Sequence, residues 1–212
     1  MLQDQQSSSA SKTIYRVFCH MKFSNFFNKI YYLRRLFITQ FVYKFMFGKI
    51  GDGTAIYTPL YVGGQEFIYI GARVFIRNHV RLEAIQKKNC KEPKLIIGDR
   101  CLIEQNVQII AGCHIEIGND VSIAGCCAIV DVSHPFENDG PANIGYRLNM
   151  NETFVKIGSG SFIGYGSVIL PNVILGEGCI VGANSVVTTS FPCYSVIAGS
   201  PAKLIRSYKR GA

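Results

Sequence analysis

The sequence predicts an all-β fold, a parallel β-helix wound from six-residue units. Ile157, Ile163, Ile169, Leu175, Val181 and Val187 fall six apart without a slip. Glycine follows four of them directly, as Gly158, Gly164, Gly176 and Gly182. The same spacing recurs upstream in Ile117, Ile123 and Ile129, in Ile97, Ile103, Ile109 and Ile115, and in Ile70, Ile76 and Leu82. A period of six suits neither an α-helix nor an alternating strand. It suits a solenoid in which each short strand supplies one inward aliphatic and each corner needs a small residue. No hexad buries its own apolar face, so stability must come from stacking turns along one axis.

Residues 1–13 are polar and predicted to be disordered; no charged stretch precedes an apolar core there, so a signal peptide is not expected. Residues 14–48 are aromatic, basic and free of proline, with glycine only at Gly48, which reads as one or two amphipathic helices. Lys29, Arg34, Arg35 and Lys44 argue against a membrane span. Phe, Tyr and basic residues together fit an interfacial helix over 14–47, or one packed on its own β-helix or a neighbouring subunit. The helix domain itself is expected over 49–200, beginning with a looser course at Ile50, Ile56, Val62 and Ile68. Two larger breaks interrupt it, Gln86 to Lys94 and Asp131 to Phe154. Residues 201–212 are left as a short C-terminal helix or tail.

Composition narrows the partners. The chain has 212 residues, 48% of them apolar, with 22 Lys and Arg against 14 Asp and Glu. The net charge is +8, and basic residues concentrate at the two ends, up to Lys49 and from Lys203 to Arg210, which suits an anionic cofactor or membrane surface. No nucleic-acid module accompanies it, so nucleic acid is not an expected partner. Eight cysteines without zinc-finger spacing read as reduced structural thiols of a cytoplasmic protein. Cys101, Cys113 and Cys179 sit in hexads where a small apolar residue packs well.

The loop 131–155 is the strongest candidate for function. A long excursion inside a compact repeat domain is usually functional or disordered. This one carries Asp131, His134, Phe136 and the turn-rich run Asn138-Asp139-Gly140-Pro141.

These residues together resemble the hexapeptide-repeat acyltransferases. The resemblance covers roughly residues 50 to 206 and is closest in the second half. It rests on the Ile-Gly hexads, the run Gly182-Ala183-Asn184-Ser185-Val186-Val187, and Ala198-Gly199-Ser200-Pro201-Ala202. That half looks like the last coils of the maltose, galactoside and polysaccharide O-acetyltransferases. The resemblance implies a left-handed β-helix, acetyl-CoA as acyl donor, and a homotrimer with sites between subunits. Handedness comes from the family alone, since ordinary parallel crossovers are right-handed.

Ile129-Val130-Asp131-Val132-Ser133-His134-Pro135 matches the segment that carries the catalytic histidine in this family. The O-antigen and capsule branch commonly shows Asp-His-x-His; here Val132 replaces the first histidine, leaving His134. Phe162 stands where the family often has Trp. A histidine with a pKa near 6.5 can take a hydroxyl proton near neutrality. The resemblance therefore implies that His134 is the base; otherwise it is a surface loop histidine. Glu104 and Asn106 fall where the family positions the acceptor sugar, and each could equally be a solvated corner residue. Asp131 is expected to orient His134 or bind the sugar.

For coenzyme A the resemblance implies Gly164, Tyr165 and Ala183 along the pantetheine arm. Thr188 and Thr189 match a Thr-Lys pair, with Thr189 in place of lysine. Gly199 lies at the adenine end, and Lys203 and Arg206 would meet the phosphates. The expected activity is acetyl transfer to a sugar hydroxyl of a bacterial surface polysaccharide or its precursor, in the cytoplasm or at the inner face of the membrane. N-acetylation of an amino sugar or an antibiotic is the alternative. From another class, the same helix serves a carbonic anhydrase-like metal protein, for which His79, His114 and His134 could be offered, or a silent scaffold. No metal is expected, because the close pair of ligand histidines is missing.

Overall fold

Three sheets of six, eight and six strands, here I, II and III, parallel except for the last pair of sheet II, form the faces of a triangular left-handed β-helix. The computed structural model describes residues 26–87, 92–135, 143–148 and 151–209. The disorder expected over 1–13, the first part of the amphipathic segment and the turn-rich run at 138–141 lie outside these residues. From Lys49 to Val187 the chain visits sheets I, II and III in strict rotation.

The inward aliphatics stack in columns, each held by parallel pairing to its equivalent one coil on. In sheet II the column reads Ile56, Ile76, Ile103, Ile123, Ile163, Val181 and Ile197. Sheet III stacks Leu82, Ile109, Ile129, Ile169 and Val187. Sheet I stacks Ile50, Ile70, Ile97, Ile117, Ile157 and Leu175. Nearly all are fully buried, and each contributes about 1.5–3 kcal/mol relative to exposure. The stack therefore dominates stability.

The two-residue shift of phase between Ile115 and Ile117 has a simple origin. Strands of sheet I such as Lys94–Ile97 and His114–Ile117 bury alternate residues, so Leu95 and Ile97, then Ile115 and Ile117, all point inward. Both runs are correct, and one sheet contributes two layers of core. Small residues line the corners: Cys101 and Cys179 are buried at the I–II corner, and Cys127, Ser167 and Ser185 at the II–III corner.

Helix α1, residues 26–41, closes the first coil. Its inner face meets the edge strand Ala55–Ile56 of sheet II. Thr39 Oγ1 accepts the Ile56 N–H at 2.9 Å, and Arg35 Nε donates to the Ile56 carbonyl at 3.0 Å. Gln40 Nε2 reaches the Thr54 carbonyl at 3.0 Å, and Tyr32 stacks on Phe75. Capping an open edge in this way blocks further strand addition. Among the described residues no helix is long and apolar enough to cross a membrane.

At the other end, the segment expected as a short helix or tail is a strand, Ala202–Ser207, running antiparallel to Ser195–Gly199. Gly199, at φ 107°, makes the turn. A register shift leaves Ile205 unpaired: Arg206 faces Val196, Leu204 faces Ile197 and Lys203 faces Ala198. The extra residue re-aims side chains. It places Lys203 and Arg206, three apart, on the face opposite core-directed Ile197.

Candidate active site

The II–III corner gathers most of the residues expected to bind ligands. It lies between the strand pairs Leu102–Ile103 and Gln108–Ala111, Phe162–Ile163 and Val168–Ile169, and Ile180–Val181 and Val186–Val187. Glu104 and Asn106 thus stand two coils before Gly164 and Tyr165 along one edge, and Ala183 stands one coil after them. Backbone bonds tie the column: Cys126 N–H donates to the Gln105 carbonyl, Gly166 to Gly125, and Asn184 to Tyr165, at 2.8–3.0 Å. Gly164 cannot carry a side chain, since a Cβ there would stand 2.6 Å from the Ala183 nitrogen. The Gly199 turn joins this corner through its N–H to Ser185 Oγ, at 3.1 Å.

Asn106 adopts φ 60°, a left-handed corner conformation that asparagine tolerates. That accounts for its residue type at the corner, and its exposed side chain lies 4.0 Å from Cys126 Sγ. Glu104 sits 3.8 Å from Arg77 Nε. Tyr165 is exposed, and its hydrogen bond with Cys126 raises the phenol above its ordinary range.

His134 belongs to another edge. It follows the sheet III strand Ala128–Val130 and begins the excursion at the III–I corner. The imidazole is exposed, with Nδ1 2.9 Å from the Arg147 carbonyl oxygen. A carbonyl can only accept, so Nδ1 carries the proton and Nε2 is the basic nitrogen of the neutral ring.

Asp131, expected to orient His134 or bind the sugar, turns its carboxylate to the backbone instead. Its side chain is fully buried, and its carboxylate accepts the backbone N–H groups of Gly112, Cys113 at 2.9 Å and His114 at 2.7 Å. The carboxylate is consumed by the preceding corner, and the Arg147 carbonyl holds the histidine instead. Thr153 Oγ1 donates to the Asp131 carbonyl, and buried Lys87 Nζ reaches Thr153 Oγ1 at 3.3 Å. Both ends of the excursion are thereby clamped to the body. Arg147, Thr153 and Lys87 carry no signal in the hexad pattern, because their partners lie 13, 22 and 66 residues away.

Within one chain the candidate residues fall into two groups. Thr188 and Thr189 follow the strand Val186–Val187, at the III–I corner with His134 but two coils beyond it. Gly164, Tyr165, Ala183 and Gly199 lie across sheet III, a separation of roughly 20 Å for a six-residue side at about 3.3 Å each. Lys203 and Arg206 occupy the outer face of sheet II beside them. His79 is a II–III corner residue at φ 60°, and His114 begins a sheet I strand, 3.5 Å from Glu116. Among the described residues no three metal-ligating side chains come together.

Comparison with known proteins agrees with this architecture. The family description "Bacterial transferase hexapeptide (six repeats)" matches residues 154–189. WbbJ of Escherichia coli (strain K12), named for O-acetyl transfer in lipopolysaccharide biosynthesis, is 32% identical over 155 residues, 71% of this chain and 76% of that protein. Rv3034c of Mycobacterium tuberculosis, named as an acetyltransferase, is 28% identical over 74% of this chain but only 49% of its own length. The crystal structure of AntD, an N-acyltransferase from Bacillus cereus in complex with dTDP and 3-hydroxybutyryl-CoA, superposes with a TM-score of 0.66 at 25% identity. It covers 79% of this chain and 86% of AntD. With its stacked hexads, its corner glycines and a relative matched over three-quarters of its length, this chain belongs to the hexapeptide-repeat acyltransferase family.

Proposed function

We propose that this protein transfers an acetyl group from acetyl-CoA to a hydroxyl of a sugar in a bacterial surface polysaccharide or its precursor, with His134 as the base. The observation that carries the reading is the contact of His134 Nδ1 with the Arg147 carbonyl, which leaves Nε2 basic on an exposed ring. Nε2 takes the acceptor hydroxyl proton as that oxygen bonds to the acetyl carbonyl carbon. The tetrahedral intermediate collapses, the C–S bond breaks, and the imidazolium returns its proton to the departing thiolate. No acyl-enzyme forms, so the cysteines are not nucleophiles. Likeness to WbbJ supports the glycan acceptor, and the coenzyme A ligands of AntD support the donor.

Gly164, Tyr165, Ala183 and Gly199 form the proposed groove for the pantetheine arm, and Lys203 and Arg206, on one face, meet the phosphates. Glu104 and Asn106, on the same edge, are the residues for the sugar. Thr188 and Thr189 belong with the histidine side. A site that unites the two edges needs a second copy of the chain, which supports the homotrimer. Light scattering that returns a monomer would overturn this assembly.

The test is release of coenzyme A thiol by purified protein given acetyl-CoA and glycan acceptors, compared with His134→Ala. Turnover in the wild type and loss in the variant support the reading; equal turnover rejects it. N-acylation of an amino sugar is the second reading, favoured by the likeness to AntD. Mild alkali separates the two, because it cleaves an ester product and spares an amide.

A further inference from the structure

Helix α1 holds the first coil through Tyr32, Arg35, Thr39 and Gln40. Its inner face is spent on the first coil, yet Phe26, Ile30, Leu33, Phe37 and Phe41 remain 46–62% exposed on the other. The spacing of four, three, four and four confines them to about 80° of arc at 100° per residue. Exposed Phe45 continues the ridge beyond the helix. Lys29 and Arg34, both exposed, flank it on either side.

Charge says what covers this ridge. Between Asp4 and Asp52 the chain has eight Lys and Arg and no Asp or Glu. The remainder balances, with 14 basic residues against 14 acidic, so the entire formal +8 resides in this one segment. A second copy presenting the same face would bring like charges together, at a cost. An apolar ridge between cations instead matches a bilayer surface with anionic headgroups, where the rings enter the acyl boundary and the basic residues meet phosphate.

We propose that the outer face of α1 docks this protein on an anionic lipid surface, lying in the interface without crossing it. The inference is independent of the acyl-transfer reading, and its test reads binding rather than turnover. Full-length protein is floated with phosphatidylcholine vesicles and with vesicles also containing phosphatidylglycerol, at low and raised salt. The expected result is flotation with the anionic vesicles, weakened by salt. Phe37→Glu/Phe41→Glu should abolish it. Lys29→Glu/Arg34→Glu, exposed changes that spare the packing, should weaken it by about fivefold per residue. Oligomer mass by light scattering and the far-ultraviolet spectrum should stay unchanged in both variants. The proposal is overturned if the wild type does not float, if both variants float like wild type, or if a folded Phe37→Glu/Phe41→Glu loses oligomer mass. That last outcome would show a second copy covering the ridge.

Discussion

Asp131 Oδ2 accepts the backbone N–H of His114 at 2.7 Å, so the root of the excursion bearing His134 is fastened to the coil before it. The same carboxylate takes the N–H groups of Gly112 and Cys113. A charged side chain with no exposure is supporting a corner that has no strand partner for these donors.

Asp131→Ala should therefore behave as a stability variant. Three buried N–H groups lose their acceptor, and a cost of about 3 kcal/mol or more is expected. Chemical denaturation measures it. Transfer should fall as well, because the loop is released, and Asp131→Asn should recover part of the stability by restoring one acceptor oxygen. Unchanged stability in the alanine variant would contradict the corner role.

His134→Ala should leave the melting temperature within a degree or two while lowering kcat by about 10²–10⁴. The exposed ring holds little packing, so its loss is chemical. Steady-state thiol release and a thermal melt on the same preparation check both halves.

Lys203→Ala and Arg206→Ala should each raise KM for acetyl-CoA several-fold with little change in kcat. Their ammonium and guanidinium groups would bind phosphates far from the reacting carbon, a contribution shared by ground and transition states. A double variant should also lose the salt dependence of KM. If kcat falls instead, the two residues act elsewhere.

Burial raises the Cys101 thiol from an ordinary value of 9.0 to about 11, and Cys127 and Cys179 shift the same way for the same cause. At neutral pH all three should resist iodoacetamide while exposed Cys126 and Cys193 are modified, as peptide mass mapping would show. Stability follows by linkage. In the unfolded chain these thiols ionise from about pH 9, while in the folded chain Cys101 stays protonated to about 11. The contribution of Cys101 is complete below about pH 9 and lost as pH rises through about 11, with Cys127 and Cys179 acting in the same direction, so the melting temperature should fall as pH rises through that window.

The solenoid was legible because its repeat is physical: every sixth residue turns inward from the next sheet, and each stacks on its equivalent one coil on, as Ile163 pairs with Val181 and Ile123 with Ile163. Even the shift at Ile115 and Ile117 was visible, although only the structure shows that both enter the core. The C-terminal segment was harder. Its strand depends on pairing with Ser195–Gly199 across a turn, and the unpaired Ile205 breaks any alternation a sequence reading could use. Corner residues such as Tyr165 and Ala183 were singled out through the family resemblance, and the structure sets both at the II–III corner. Asp131 was expected to orient His134 or bind the sugar, whereas the partners of its carboxylate in this structure lie 17 to 19 residues back. Arg147 could not be found at all, since it acts through a carbonyl that every residue possesses.

That anonymity has a consequence for how the protein tolerates change. The clasp on the imidazole belongs to the main chain, so the ring's tautomer follows the position of a peptide oxygen. Shortening or lengthening the path between Pro135 and Thr153 moves the peptide oxygen itself. Deletions in this stretch should thus silence the protein.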